Sequence, residues 1–359
     1  MSVAGGCVSR AAADQHLRAM VAQAKEEMGL RAAIVRVDTG AQPLSEFAVG
    51  NSMTGTPANP DMYFRVGSMA IPDMITVLLQ LQDEGRLSLD DKLSKYEPEL
   101  PDASRVTLRM LANNTSGYVD WIQGNLPFVE ELFANPFRFW TANELIQIAL
   151  ARPMACEPGT CFHYSHTNLS LLSRVIAKVT GHSVEQEIRE RVLEPLGLHH
   201  TQISRYAAFP GPALHSYTTQ RGPYEDATFW SPSWTIGAGQ VMTATVGDIA
   251  REARAVGSGE LISPASYRES VANTSAGLPG TKPAFYYGLG QLVDDGWIIQ
   301  NPMLNGYTGI MAYLPKRKLS LAIVATTGPS ANPEAGYATL LFNELVTYLA
   351  PGNPANLPD

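Results

Sequence analysis

The chain has 359 residues, 45% of them hydrophobic and 17% charged, with 25 Pro and 30 Gly, so it can bury a large core as one big domain or two intimate ones. A formal net charge of −8 argues against nucleic acid or an anionic membrane as partner. No stretch approaches the ~20 apolar residues of a membrane span, and the largest basic cluster, Lys316-Arg317-Lys318, reads as a charged turn.

In chain order, Val3-Ala4-Gly5-Gly6-Cys7 resembles the end of a bacterial lipoprotein signal, which makes Cys7 a candidate lipid anchor, although the apolar segment that should precede it is not there. Residues 11–29 read as a helix with Leu17, Met20, Val21 and Ala24 on one face. Residues 32–37 and 44–49 are short β-rich runs around a polar turn, consistent with a hairpin. Phe64-Arg65-Val66-Gly67-Ser68-Met69-Ala70-Ile71 then runs into the helix-periodic segment from Met74 to Leu81. A Ser at the mouth of a helix sits where free N–H groups and the positive end of the helix dipole converge. That suits a nucleophile whose product is an oxyanion, but Ser is also a preferred N-cap. Pro72, in the first turns of that helix, implies a local distortion.

Residues 107–112 form a short helix closing on Asn113-Asn114-Thr115-Ser116-Gly117. Residues 141–152 and 168–180 read as amphipathic helices flanking Glu157-Pro158-Gly159-Thr160, a turn bracketed by Cys156 and Cys161. A disulfide across that turn and two unpaired thiols are equally compatible with the spacing; the bond would indicate an oxidising compartment. Together with Cys7 this leans towards export to the cell envelope or beyond, the cytoplasm being the alternative. Helices over 183–193 and 245–256 enclose a Pro-, Gly- and aromatic-rich stretch, 202–235, that reads as loops. The last third returns to strands at 287–293, 296–300, 311–314 and 319–325 before a final helix over 334–349. The pattern is α+β, an antiparallel sheet flanked by helices with an inserted, mainly helical domain. Residues 10–66 and 284–350 are expected to form the sheet domain and 67–283 the helical one, with a cleft between them and tails at 1–9 and 351–359.

Several motifs in this order resemble the serine β-lactamase and penicillin-binding-protein family, nearest its class C β-lactamase, DD-peptidase and esterase branch. The carriers are Phe64-Arg65-Val66-Gly67-Ser68, Gly85-Arg86-Leu87-Ser88-Leu89-Asp90-Asp91, and Val106-Thr107-Leu108-Arg109 leading to Asn114-Thr115-Ser116-Gly117. They continue with Glu157-Pro158-Gly159-Thr160 before Tyr164-Ser165-His166, Glu194-Pro195-Leu196-Gly197, and Tyr287-Gly288-Leu289-Gly290 before Gly306-Tyr307-Thr308-Gly309. The resemblance implies a serine hydrolase working by acyl transfer, without cofactor or metal, on a small-molecule, ester or peptide ligand. That chemistry needs S-x-x-K, a Tyr or Ser followed two residues later by Asn, and K-T-G or H-x-G on a strand.

The resemblance makes Ser68 the nucleophile, Tyr164 or His166 the base, and the Ser68 and Ile310 amides the oxyanion hole. Tyr307, Thr308, Asn114 and Trp234 become substrate-binding candidates, and Asp120-Trp121 with the 224–235 stretch could line the cleft. The departures fall on the charged positions: the Lys position is Ile71, the Asn position is His166, and the K-T-G cation position reads as Tyr307. An unpaired phenol titrates near ~10, so Tyr164 alone is a feeble base, whereas an imidazole suits proton transfer at neutral pH. His166 is therefore either a repurposed base or a polar filler in the space the Lys vacated. His163 reads as structural and His199-His200 as solvent-facing, with no third ligand at metal spacing. Two functions stay open: an esterase- or amidase-like enzyme with little β-lactamase activity, or a catalytically silent relative that binds a peptide, muropeptide or acyl ligand.

Overall fold

The computed structural model describes residues 9–237, 241–279 and 281–358, together with the backbone of 2–3 and 6–7. The side chain of Cys7, and with it the lipid-anchor expectation, lies outside the described residues.

One nine-stranded antiparallel sheet organises the molecule. Its strands, numbered in chain order, are β1 (Leu30–Thr39), β2 (Gln42–Met53), β3 (Thr56–Pro57), β4 (Phe285–Tyr287), β5 (Leu292–Asp294), β6 (Trp297–Gln300), β7 (Met303–Leu304), β8 (Tyr307–Leu314) and β9 (Leu319–Thr327). The spatial order is β4-β5-β6-β8-β9-β1-β2-β3, with β7 also on β8. All residues of β8 and β9 are buried, because helices cover both faces and an apolar run on each side is then required.

On one face lie α1 (Arg10–Glu27) and α6 (Tyr337–Leu349). Leu17, Val21 and Ala24 of α1 pack there with Leu341, Phe342 and Leu345 of α6 against Val35, Ile310 and Ile323. The other face carries α2 (Ile71–Asp83), α4 (His166–Thr180) and α5 (Val246–Ser258), whose apolar sides join Met69, Tyr307 and Met311 in a second core. A smaller cluster of Trp121, Phe128, Leu132, Trp140 and Trp234 gathers around α3 (Leu126–Ala134) at the cleft.

The expected hairpin is longer than its apolar runs, since β1 and β2 exchange hydrogen bonds well past residues 37 and 49. Pro72 sits in the first turn of α2, where proline is tolerated, and the chain just before it is a 3-10 turn over Gly67–Ala70 rather than regular α-helix. The helix α3 has no counterpart in the sequence reading, and 202–235 contains only two- and three-residue strands.

Candidate active site

Ser68 stands in a 3-10 turn, Gly67–Ala70, that leads into α2, so it is not an N-cap. Gly67 has φ +56°, and a Cβ there would come within 2.7 Å of the Pro302 side chain. Only glycine lets the nucleophile turn sit this close to the segment after β6. One helical turn on, the Ile71 side chain is fully buried. Its Cγ2 and Cγ1 of Ile75 crowd Gly290 (φ +68°), closing the space a lysine would use.

Ser68 and the Tyr164 phenol lie together on the cleft wall, near enough for the serine to draw the phenol's pKa down. Burial, with Tyr287 and the negative Asp120 nearby, holds that phenol well above its ordinary value and outweighs the contribution of Ser68. Tyr164 is therefore a neutral hydroxyl at any physiological pH. Its ring meets the His166 ring edge to face, with centroids 5.1 Å apart.

His166 is the first residue of α4, and Asp120 holds it. One Asp120 oxygen, Oδ2, accepts from the His166 backbone N–H (2.6 Å) and from its Nδ1 (2.7 Å), while Oδ1 accepts from the amides of Ile122 and Gln123 at 2.8 Å each. Burial alone would raise the Asp120 carboxyl, but the imidazole and these N–H groups outweigh it and hold it at about 2. An ionised carboxylate only accepts, so Nδ1 carries the hydrogen, and in the neutral form of the ring the lone pair is on Nε2. Trp121, its ring tilted against the imidazole with centroids 5.4 Å apart, donates its Nε1–H to the Trp234 carbonyl (3.0 Å) and ties this loop to the far wall.

The sheet side of the cleft is formed by residues 300–305, displaced from the expected position. Gln300 pairs with Met311 and Met303 with Thr308, a single register through β6 and β7. The Gly309 N–H donates to the Pro302 carbonyl (2.9 Å). Backbone polar groups alternate sides along a strand, so Pro302 faces β8 and the peptide groups of Asn301 and Met303 face away from it. There β5 has already ended, because its pairing reaches only Ile299. The Met303 amide is thus turned to the cleft beside Gly67 and Ser68, whereas the Ile310 amide is turned into β9. Ile310 is also fully buried on the α1–α6 face. It cannot form the oxyanion hole; Met303 is the residue placed to do so.

Three of the four side chains expected to bind substrate have their polar groups engaged within the protein. Tyr307 lines the cleft but donates its hydroxyl to the Leu214 carbonyl. Thr308 reaches the cleft wall with its oxygen spent on the Ala338 amide at 3.0 Å, at the start of α6. Asn114 is fully buried and absent from the cleft wall; its Oδ1 accepts from the Ser165 amide and the Asn168 side chain, which fixes the approach to α4. Trp234 does line the cleft. The position analogous to the strand cation is Gln300, buried, with its Nε2 donating to the Gly290 carbonyl (2.5 Å), near a buried Tyr287 hydroxyl that has no hydrogen-bond partner among the described residues. Asp120 as partner of His166, and Tyr287, Gln300 and Met303, were not assigned roles from sequence. The available signal was the strand over 296–300, whose end opens directly onto Asn301-Pro302.

Cys156 and Cys161 are joined in a disulfide, with Cα atoms 6.3 Å apart, closing the loop that enters Phe162 and Tyr164. The cleft holds about 600 Å³ and is mostly apolar, with Ile122, Val129, Leu132, Phe133, Phe162 and Leu304 around the polar centre. This is the size of a small-molecule site. Among the described residues no group of three or more His, Cys, Asp or Glu could hold a metal ion, and no helix is long and apolar enough to cross a membrane.

The β-lactamase family model matches residues 17–344. The chain is 28% identical over 250 residues to a putative penicillin-binding protein, PbpX, of Bacillus subtilis, covering 69% of this chain and 58% of that protein. It is 28% identical over 194 residues to the esterase EstB of Burkholderia gladioli, covering 51% and 49%. Against these curated relatives it therefore spans about half to three-fifths of their length. A D-stereospecific amidohydrolase from Streptomyces superposes with a TM-score of 0.80 at 25% identity, over 96% of this chain and 99% of that one. A D-amino acid amidase from Ochrobactrum anthropi has the same fold, with a TM-score of 0.80 at 23% identity over 94% and 97%. With the family model covering nearly the whole chain and the sheet, the serine turn and the cleft all in their places, the protein belongs to the β-lactamase family.

Proposed function

We propose that the protein is an esterase- or amidase-like serine hydrolase in which the Asp120–His166 pair does the proton work that lysines do elsewhere in the family. The observation that carries this is the 2.7 Å contact between His166 Nδ1 and a buried, ionised Asp120, in the same cleft as the Ser68 hydroxyl and the Tyr164 phenol. A phenol with a raised pKa is a poor resting base but a good relay, because it can take one proton as it gives up another. Ser68 Oγ attacks the carbonyl carbon, its proton passes to the Tyr164 oxygen, and the Tyr164 proton passes to His166 Nε2. The Ser68 and Met303 amides receive the oxyanion. Collapse of that intermediate expels the alcohol or amine, which takes the proton back along the same path. Water then repeats the sequence on the acyl-serine.

The competing reading is a silent relative that only binds its ligand, favoured by the two neutral cation positions, Ile71 and Gln300. Fluorophosphonate labelling decides between them: covalent labelling of Ser68 that is lost in Ser68→Ala and His166→Asn is expected. Absence of labelling and of 4-nitrophenyl ester hydrolysis in the wild type gives the decision to the binding reading. The Cys156–Cys161 bond also supports placement in an oxidising compartment outside the cytoplasm, which intact mass with and without reductant on protein from the native host tests.

A further inference from the structure

The charge balance of the cleft is one-sided. No Lys or Arg lines it among the described residues. Among the described residues of its wall, Glu334 is the one carboxylate and His166 the one imidazole. That carboxylate is held in place: its Oε1 accepts from Gln220 Nε2 (3.0 Å), and its own N–H donates to the Asn332 side chain (3.0 Å). It has no ion-pair partner among the described residues, in contrast with most acids on this surface. At the start of α6, the Ala338 amide is already on Thr308.

We propose that Glu334 sets specificity, selecting ligands that join an apolar body to an ammonium group and rejecting those that carry a carboxylate. The apolar part fits the wall of Val129, Leu132 and Phe133, and a cation gains from an anchored, unpaired carboxylate that costs little to organise. A carboxylate meets the same charge with nothing to neutralise it. This deepens the reading of the cleft as the substrate site and rests on it. The ammonium can belong to the acyl part or to the leaving group.

The test uses the full chain and calorimetry with 3-phenylpropylamine, 3-phenylpropanol and 3-phenylpropionate. The amine should bind about 2- to 5-fold tighter than the alcohol, the range of a partly screened ion pair, and the carboxylate weaker than either. Glu334→Gln should collapse the amine-to-alcohol ratio towards one, and Glu334→Lys should reverse the order of amine and carboxylate. Ratios within each variant are read, so a uniform loss of folded protein cancels. Turnover of 4-nitrophenyl 6-aminohexanoate against the hexanoate, and of hexanoylcholine against ethyl hexanoate, distinguishes acyl from leaving-group recognition. Equal binding of all three probes, tighter binding of the carboxylate, no binding at all, or an order indifferent to Glu334 overturns the proposal. An unlabelled Ser68 alongside the predicted binding order overturns catalysis but not this selectivity.

Discussion

At the scale of single residues, the site replaces mobile cations with a fixed acid–imidazole pair. Asp120→Asn keeps the shape of the loop but removes the reason for the Nδ1–H tautomer, and a loss of roughly 10²- to 10⁴-fold in ester hydrolysis is expected, as for other oriented imidazoles. The comparison is kcat/KM of the variant and wild type on 4-nitrophenyl butyrate; equal values would show that His166 is not held for catalysis. The Asp120 carboxyl lies below its ordinary value in the folded state, so its contribution to stability is complete above about pH 4 and is lost as pH falls towards 2. Restoring the family lysine at Ile71→Lys is expected to harm the protein. The position is fully buried among Ile75 and Gly290, and an unpaired buried ammonium costs several kcal/mol. Thermal denaturation should show a fall in Tm of 5 °C or more, and an unchanged Tm would mean that the pocket opens to water there.

At the scale of elements, α2 and α5 meet through two buried carboxyls, Asp73 and Glu252, and neither Asp73 oxygen has a hydrogen-bond partner among the described residues. Burial raises both, and for Glu252 the proximity of Asp73 raises it further. A carboxyl whose folded value is raised stabilises fully below its unfolded value, near ~4, and loses that contribution as pH rises. The helix that carries Ser68 should therefore loosen on the alkaline side. Glu252→Gln keeps the size of the side chain and removes one charge, so its Tm should fall less than the wild type's between pH 5 and 9. Parallel Tm curves would rule out this coupling of the two carboxyls. The disulfide of the 156–161 loop closes too short a ring to contribute more than a fraction of the ~3 kcal/mol expected for 15 residues. Its reduction should lower hydrolysis, by loosening the entry to Tyr164, more than it lowers Tm; a large drop in Tm with activity intact would contradict that.

At the scale of the whole molecule, an acidic chain presents a cleft whose lining among the described residues contains no cation. Substrates recognised through a carboxylate, as penicillins are, meet no complementary charge. Each missing electrostatic element typically costs ~10²–10³-fold in rate. Nitrocefin turnover is expected to be indistinguishable from a Ser68→Ala control, and a clear excess over that control would overturn the argument.

The sequence by itself determined the α+β class, the faces of α1 and α2, Ser68 at the start of the nucleophile helix, and Tyr164 and His166 two residues apart at the start of another. These follow from local periodicity, turn chemistry and short motifs, which act within a few residues. Tertiary structure alone decided which strand faces the serine. Gly306-Tyr307-Thr308-Gly309 carries the right letters, but strand alternation turns Thr308 and Ile310 to the opposite face of the sheet, and the register of Gln300 with Met311 brings Asn301 and Met303 to the open edge. The pairing of Asp120 with His166, 46 residues apart in the chain, belongs to the same class. So do the burial of Asn114 and the meeting of Asp73 with Glu252. Each depends on how distant segments stack, and a contact between distant segments is set by the packing of the whole core rather than by any pattern within either segment.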